Sequence, residues 1–138
     1  SAIRAPNDEA FRKYAFADGE KVGEGVVKID RIIEKPGSRE RAPSDLGIVS
    51  GFVFTPDIYD FLLEAKAELE ERKELVYTDG VQRMINSGIP VYSLEIKNAI
   101  YRDTGNKLEY LKTVMDYGLD HPEFGEDLKK HLQKRLAN

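Results

Sequence analysis

The segment "VVKIDRII", residues 26–33, constrains the fold more than any other part of the chain. Its apolar and polar side chains alternate, which is the pattern of a strand with one face in a core. Val27, Ile29 and Ile33 fall on one face, and Lys28 and Asp30 fall on the other. The alternation ends at Glu34-Lys35-Pro36-Gly37, where proline and glycine favour a loop. The pattern therefore predicts a strand that carries a short charged segment at its carboxyl end.

Strand and helix patterns alternate along the rest of the chain. The nearly continuous apolar run "LGIVSGFVF", residues 46–54, predicts a strand buried on both faces. Another strand is predicted within 89–101, where Tyr92, Leu94 and Ile96 alternate with more polar residues. Residues 3–13 lack strand periodicity and are predicted to form a lead-in with at most a short helix. Capping residues and helical spacing predict helices that begin near Thr55, Thr78, Asn106 and Pro122.

The last two predicted helices carry apolar stripes. The stripe of the first consists of Leu108, Leu111, Val114 and Met115, and that of the second consists of Phe124, Leu128, Leu132 and Leu136. A strict spacing of four gives a narrow stripe, which docks either on the same domain or on a partner subunit.

Bulk composition bounds the fold class and excludes several functions. At 138 residues, the chain is predicted to be a single domain, 1–138, of α/β class, α+β-like in its helix-rich second half. We expect a mixed sheet with flanking helices. The net charge of −4 gives no general attraction for nucleic acid or an anionic membrane, and no apolar run is long enough to cross a bilayer. The absence of cysteine excludes disulfides and thiolate metal sites and fits a cytoplasmic protein.

Glu34 and Lys35 are the first candidates for chemistry, because ligands of open α/β sheets bind beyond the carboxyl ends of strands. Lysine supplies a compact positive charge for a phosphate, and a neighbouring glutamate accepts hydrogen bonds from hydroxyls. The alternative is a surface strand end with no ligand. The local pattern alone favours this alternative.

Asp103 is the second candidate, because a carboxylate before a glycine turn and a helix start can hold Mg²⁺ bridged to phosphate oxygens. The alternative is a side chain that accepts backbone amides within the turn. The "ELVYTD" segment, 74–79, is weak as a metal site, and helix capping by Thr78 or Asp79 is the favoured interpretation. His121 and His131 lack metal-ligand spacing and are interpreted as structural or surface residues.

Several short motifs occur in one order along the chain. They are "EKP" at 34–36, "APSDL" at 42–46, "TPDIYD" at 55–60, "TD" at 78–79, "DTGNKLEYLK" at 103–112 and "HPEFG" at 121–125. Each is weak alone, but the series resembles the C-terminal half of the bacterial and archaeal UTP–glucose-1-phosphate uridylyltransferases, which are sugar-phosphate nucleotidyltransferases. The resemblance runs from about Phe11 to Leu132.

The resemblance implies a fold and a reaction. The chain would be the sugar-binding and oligomerisation half of a Rossmann-like nucleotidyltransferase fold, with the nucleotide-binding half outside residues 1–138. The complete enzyme would join UTP and glucose 1-phosphate, with Mg²⁺, to give UDP-glucose and pyrophosphate by direct in-line attack. UTP would be held through the missing half, so the isolated chain is expected to be inactive. A homo-oligomer is also expected.

The resemblance also implies roles for particular residues. Glu34 would bind glucose hydroxyls, and Lys35 would reach the sugar phosphate as the catalytic cation. Asp103 would be one of two aspartates that hold Mg²⁺. Two further sugar contacts are implied: Glu74, in the "E-x-x-x-T-D" position, and the backbone around Ser50 and Gly51.

The chain departs from the family pattern at three places, and two other functions remain as alternatives. In an ungapped alignment, Ser50 stands where the family has glycine, and Gly51 comes one place later. Tyr14-Ala15 stands where the family usually has Tyr-Gly, and Arg72-Lys73 stands where Gly-Gly usually precedes the "E-x-x-x-T-D" segment. The first alternative is a fragment of a thymidylyltransferase-type enzyme, since the missing half would select the base. The second is a non-catalytic module that binds a sugar phosphate or serves assembly.

Overall fold

The computed structural model describes residues 1–69, 74–98 and 100–137. They form two compact units, Ser1–Ala99, here called the sheet unit, and Ile100–Asn138, here called the helical unit. The strands are β1 (Ala2–Arg4), β2 (Ala15–Gly23), β3 (Val26–Ile33), β4 (Leu46–Ile48) and β5 (Tyr92–Leu94). The α-helices are α1 (Ala10–Lys13), α2 (Ile58–Ala67), α3 (Tyr77–Asn86), α4 (Lys107–Leu119) and α5 (Gly125–Leu136), and a 3₁₀ turn spans Arg39–Arg41. The α/β class predicted from the sequence is confirmed, while the single-domain organisation stays a prediction.

The sheet unit contains a curled sheet with the strand order β1-β4-β2-β3-β5. Neighbouring strands pair antiparallel, and the curl brings the two edge strands together at a parallel bridge between Ala2 and Glu95. This contact between the edge strands is here called the seam. Arg4 stabilises the seam, because its guanidinium donates to both carboxylate oxygens of Glu95, at 3.1 and 3.0 Å. It also forms a salt bridge with Asp45. β1 overlaps the segment 3–13, which the sequence analysis treated as a lead-in without a strand, so that part of the prediction is wrong.

Strand β3 has the predicted bounds but not the predicted inner face. The pairing with β2 shifts from Asp18–Arg31 to Gly19–Ile29, so Asp30 is the extra residue of a bulge. A bulge reverses the alternation of side chains along the strand. Consequently Ile29 and Ile32 are buried, whereas Ile33, which was predicted to share the face of Ile29, is only half-buried.

The prediction of a buried strand over 46–54 is wrong beyond its first residues. β4 ends at Ile48, and Val49 is the last buried residue of the run. Val53 is fully exposed and Phe52 is 43% exposed. The apolar composition of 50–54 therefore marks the wall of a cavity, described below, and not a strand.

The buried face of β5 is opposite to the one that its apolar residues predict. Tyr92 and Leu94 are exposed, whereas Ser93 is buried. Its hydroxyl has no hydrogen-bond partner among the described residues. The pairing Val27–Ser93 fixes this orientation, because a one-residue slip of a strand exchanges its two faces.

Helices α2 and α3 pack on the sheet and complete its core. In α2, Ile58 and Ala65 are buried, and Phe61 and Leu62 pack against the core. In α3, Val81 and Met84 are buried. The Gln82 side chain accepts a hydrogen bond from the Ile32 amide at 2.9 Å, which ties α3 to the end of β3. No helix of the described residues is long and apolar enough to span a bilayer.

The helical unit is a pair of helices, α4 and α5. Asn106 caps α4 as predicted, accepting from the amides of Leu108 and Glu109 at 3.0 and 3.2 Å. In a capping box, the Glu109 side chain would in return accept from the Asn106 backbone amide, and this hydrogen bond is absent among the described residues. The Glu109 carboxylate instead lies 2.8 Å from the Lys112 ammonium, and the Asn106 amide donates to the Asp103 carbonyl.

Candidate functional site

Glu34 and Lys35 directly follow β3, as the sequence predicts. The Glu34 carboxylate is largely enclosed, with 28% of its side chain exposed, and the Lys35 side chain is 56% exposed. Lys35 Nζ lies 3.6 Å from Glu34 Oε1. The arrangement offers an accessible cation beside a partly enclosed acceptor.

Thr78, at the start of α3, holds the other oxygen of the same carboxylate. Its hydroxyl is buried and donates to Glu34 Oε2 at 3.3 Å. A carboxylate oxygen has room for more than one hydrogen bond. Each oxygen of Glu34 therefore has one neighbour from the protein and remaining capacity to accept from a ligand hydroxyl.

Tyr77 precedes Thr78, and the pKa of its hydroxyl is shifted. Burial, and then the nearby Glu34 carboxylate, raise the pKa of the Tyr77 hydroxyl to about 12. Both causes disfavour the phenolate. The Tyr77 hydroxyl is therefore neutral at physiological pH.

The backbone at Lys35 has an uncommon conformation. Its φ is +42°, in the left-handed region that side chains with a Cβ rarely adopt. Two hydrogen bonds hold the turn: the Lys35 amide donates to the Tyr14 carbonyl at 3.2 Å, and the Gly37 amide donates to the Phe11 carbonyl at 2.8 Å. Phe11 is itself fixed by stacking on Phe16, with ring centroids 4.2 Å apart. The core at α1 and β2 thus sets the direction in which Lys35 leaves the strand.

Ser50 and Gly51 form an exposed, non-helical segment after β4. Gly51 has φ +99°, and its carbonyl oxygen lies 3.0 Å from the Ser1 nitrogen. Phe52 follows, and its ring contacts that of Tyr77, with centroids 4.6 Å apart. Gly51, Phe52 and Tyr77 line one cavity of about 610 Å³ in the sheet unit.

Glu74 is exposed and outside regular structure. It follows residues 70–73, and the predicted departure at Arg72-Lys73 lies outside the described residues. Within the described part of the chain, no hydrogen bond or ion pair joins Glu74 to the other candidates. Its predicted role near a sugar stays a prediction.

Asp103 lies in the helical unit, in the turn before α4. Its Oδ1 accepts from the Gly105 amide at 3.1 Å, and its carbonyl accepts from the Asn106 amide at 3.3 Å. This is the turn-forming role that the sequence analysis held as the alternative to metal binding. The remaining oxygen, Oδ2, accepts no hydrogen bond from the described residues. Within these residues, no cluster of three or more side chains of the metal-ligating types is able to hold an ion.

The structure thus brings Glu34, Lys35 and Thr78 together at one end of β3. Gly51 lines the cavity together with Phe52 and Tyr77, whereas Glu34, Lys35 and Thr78 are not among the described residues that line it. The sequence analysis did not single out Tyr77 as a residue that lines a cavity.

Comparisons with known proteins match most of the chain. Residues 6–118 fit the family model described as nucleotidyl transferase. The UTP–glucose-1-phosphate uridylyltransferase of Streptococcus pyogenes is 32% identical over 134 residues, which is 97% of this chain and 42% of that protein. The chain therefore spans less than half the length of this curated relative.

Solved structures agree with the sequence comparison. A UDP-glucose pyrophosphorylase complexed with UDP-glucose has a TM-score of 0.74 and 26% identity, over 87% of this chain and 44% of that one. The UTP-bound enzyme from Acinetobacter baumannii has a TM-score of 0.71 and 27% identity, over 96% of this chain and 45% of that one.

Proposed function

The chain belongs to the nucleotidyl transferase family, and from this premise we propose that it is the sugar-binding part of a UTP–glucose-1-phosphate uridylyltransferase. The protein of Streptococcus pyogenes bears that name. In this reading residues 1–138 act with a nucleotide-binding part that they do not include. The isolated chain then binds a sugar phosphate but does not catalyse nucleotidyl transfer.

The proposed reaction is a direct phosphoryl transfer. A phosphate oxygen of glucose 1-phosphate attacks the α-phosphorus of UTP, and the bond from that phosphorus to the β-phosphate oxygen breaks in line. The products are UDP-glucose and pyrophosphate. Two polyanions must be aligned and their charge offset, so the protein contributes through positioning and electrostatics and supplies no nucleophile.

Within this chain, Glu34 is the proposed ligand of the sugar hydroxyls, and Lys35 is the proposed ligand of the sugar phosphate. Glu34 retains acceptor capacity on both oxygens for sugar hydroxyls, because Thr78 occupies only part of one and Lys35 approaches the other. The exposed Lys35 ammonium is placed to meet the sugar phosphate. Gly51 offers backbone without a side chain at the cavity wall, and Glu74 is the proposed further sugar contact.

Asp103 is the proposed contribution of this chain to a magnesium site. Mg²⁺ takes one or two carboxylates and completes its shell with phosphate oxygens and water. The free Oδ2 of Asp103 suits that limited demand, although Oδ1 is engaged in the turn. When bound, the ion would offset charge on the phosphates. The chain supplies one carboxylate to it, and a second would come from outside these residues.

The observation that carries the proposal is the Glu34–Lys35 pair at the end of β3, held by Thr78. Titration calorimetry with glucose 1-phosphate and with inorganic phosphate tests it. Lys35→Ala is expected to weaken both ligands about 10- to 100-fold, the loss typical of a charged hydrogen bond. Glu34→Gln is expected to weaken glucose 1-phosphate alone, because phosphate lacks the sugar hydroxyls.

Lys66→Ala is the matched control, since it removes an equal charge from an exposed position on α2. The proposal fails if the unsubstituted chain gives no binding heat with glucose 1-phosphate. It also fails if Lys35→Ala and Lys66→Ala have the same effect.

The exposed apolar residues of α4 favour an additional role in assembly. Leu108, Leu111 and Val114 are each at least half exposed, and burial of such side chains in a homo-oligomer would be favourable. Leu111→Glu is expected to convert an oligomer to monomers in light scattering. A monomeric unsubstituted chain would exclude this role.

Two finer assignments accompany the proposal. Selection of UTP over a thymidine nucleotide belongs to the nucleotide-binding part, so turnover of the complete enzyme with each nucleotide separates a uridylyltransferase from a thymidylyltransferase.

A cytoplasmic location is supported by the absence of cysteine, which suits a reducing compartment.

A further inference from the structure

Residues 50–54 are mostly apolar but lie outside the sheet. The sequence predicts a strand through this stretch, whereas β4 ends at Ile48. Among the described residues, no backbone hydrogen bond engages residues 52–54. The side chains of Phe52 and Val53 are both exposed. An apolar segment with an unpaired backbone is a surface on which a further strand can pair and be buried.

The hydrogen bonds beside β4 show which part of a longer protein would reach this segment. β1 pairs antiparallel with β4. Beyond the paired residues, the Val49 amide donates to the Ser1 carbonyl, and the Ser1 nitrogen donates to the Gly51 carbonyl, both at 3.0 Å. Because antiparallel strands run in opposite directions, residues ahead of Ser1 would continue along 50–54.

This path follows one side of the cavity in the sheet unit. Four exposed apolar side chains that line the cavity are here called the apolar wall, and they are Phe52, Val53, Tyr92 and Leu94. Ser1 lines the same cavity. Covering the apolar wall would be driven by the hydrophobic effect.

The proposed function supplies the part of the protein that would cover the apolar wall. This chain spans 42% of the Streptococcus pyogenes relative, and its resemblance to a C-terminal half places the nucleotide-binding part ahead of residue 1. That part would be joined covalently to Ser1, at the cavity itself. A covalent link gives it a high effective concentration there, which a second copy of this chain lacks.

We propose that the residues ahead of Ser1 in the complete enzyme extend β1 and pair antiparallel with 50–54, so that the nucleotide-binding part docks on the apolar wall. β4 then continues to Phe54, as the sequence predicts. This inference rests on the proposed function. It adds that the nucleotide-binding part orders Gly51, a proposed sugar contact, because Gly51 lies within the newly paired segment.

Val53→Glu tests the inference when it is made both in the complete enzyme and in residues 1–138 alone. In residues 1–138, the side chain at position 53 is in water, so the midpoint of thermal unfolding is expected to stay unchanged. In the complete enzyme, the new carboxylate would be buried among apolar side chains. We therefore expect the midpoint to fall by about 5 °C or more.

Val22→Glu is the matched control, because it makes the same substitution at an exposed position of β2 that is not among the described residues lining the cavity. It is expected to have the same small effect in both proteins. If Val53→Glu prevents the complete enzyme from folding while Val22→Glu does not, the inference is supported.

Hydrogen exchange at residues 52–54 is the second measurement, and it needs no substitution. Alternate amides of a strand face the same neighbour. At least one of these three amides is therefore expected to exchange about 100-fold more slowly in the complete enzyme than in residues 1–138. Equal exchange of all three amides in the two proteins overturns the inference.

The remaining outcomes separate the inference from its alternatives and from the proposed function. If Val53→Glu destabilises residues 1–138 as much as the complete enzyme, the side chain belongs to the packing of this chain or of a second copy, and the inference is overturned. A complete enzyme that transfers UMP and tolerates Val53→Glu overturns the inference alone. A complete protein that is destabilised by Val53→Glu but transfers no UMP overturns the proposed function and leaves the docking surface standing.

Discussion

The sheet unit and the helical unit bury their apolar side chains to very different extents. In the sheet unit, Phe11 and Phe16 are completely buried. In the helical unit, Leu108 and Leu111 are 60% and 59% exposed, and the buried residues of its described part are Thr113 and Gly125. Burial of apolar area is the main driving force of folding. The sheet unit thus has a core of its own, whereas order in the helical unit depends on capping and close backbone contact.

The largest expected effect comes from deleting a ring in the core of the sheet unit. Phe16→Ala removes a buried side chain that stacks on Phe11, so we expect the free energy of unfolding to fall by about 3 to 5 kcal/mol. Leu111→Ala deletes a side chain that is mostly in water, so its expected effect is within about 0.5 kcal/mol. Urea unfolding, followed by circular dichroism, measures both. Equal losses for the two variants would refute the contrast between the units.

A second test addresses the backbone contacts of the helical unit. A Cβ added at Gly125 would lie 2.3 Å from the Leu119 carbonyl oxygen, so the link between α4 and α5 has to shift. We expect Gly125→Ala to destabilise this unit by about 1 to 3 kcal/mol, as overpacking does. Hydrogen exchange of the α5 amides measures the change.

Gly118→Ala is the control for this prediction. Its Cβ would lie 2.6 Å from a Leu128 methyl carbon, which can rotate away, and alanine has the higher helix propensity. Its net effect is therefore expected to be small. If Gly118→Ala accelerates exchange as much as Gly125→Ala, close backbone contact is not what orders the helices.

Elements with a strong local signal were predicted well from the sequence. The alternation at 26–33 gave the bounds of β3, and capping residues gave the starts of α2 and α3 within three residues. The faces of the strands were less predictable. The bulge at Asp30 and the inward Ser93 follow from pairing with β2 and β3, which is long-range information that a local pattern does not contain.

The candidate site also contains residues that local sequence predicts and residues that depend on long-range contacts. Glu34 and Lys35 were found because they follow a recognisable strand and belong to a recognisable motif. The place of Tyr77 in the cavity wall was not predicted, because it depends on contact with Phe52, which is distant in sequence. The turn at Asp103 was weighed correctly as a local possibility, since the hydrogen bond to Gly105 is a short-range feature.

The smallest expected effect is a loss of stability in acid, which is expected in the sheet unit and not in the helical unit. Arg4, which closes the seam of the sheet unit, donates hydrogen bonds to Glu95 and holds the pKa of that carboxyl below its ordinary value of 4.5. A carboxyl with a lowered folded-state pKa stabilises the fold above its ordinary pKa. This contribution is lost as the pH falls through the lowered value. Because Arg4 is 53% exposed, solvent screening keeps the contribution below about 1 kcal/mol.

Glu95→Gln checks this sign, because glutamine keeps the shape of the side chain and loses the charge. The unsubstituted chain is expected to be the more stable of the two at pH 7, and the difference in the free energy of unfolding is expected to shrink towards zero below the lowered pKa. Urea unfolding across the acid range measures this difference, and exchange of the α5 amides should respond equally in both proteins. A difference that grows on acidification would mean that Glu95 is not held as a carboxylate by Arg4. An altered α5 exchange in Glu95→Gln would mean that the seam also stabilises the helical unit, so that the two units do not unfold independently.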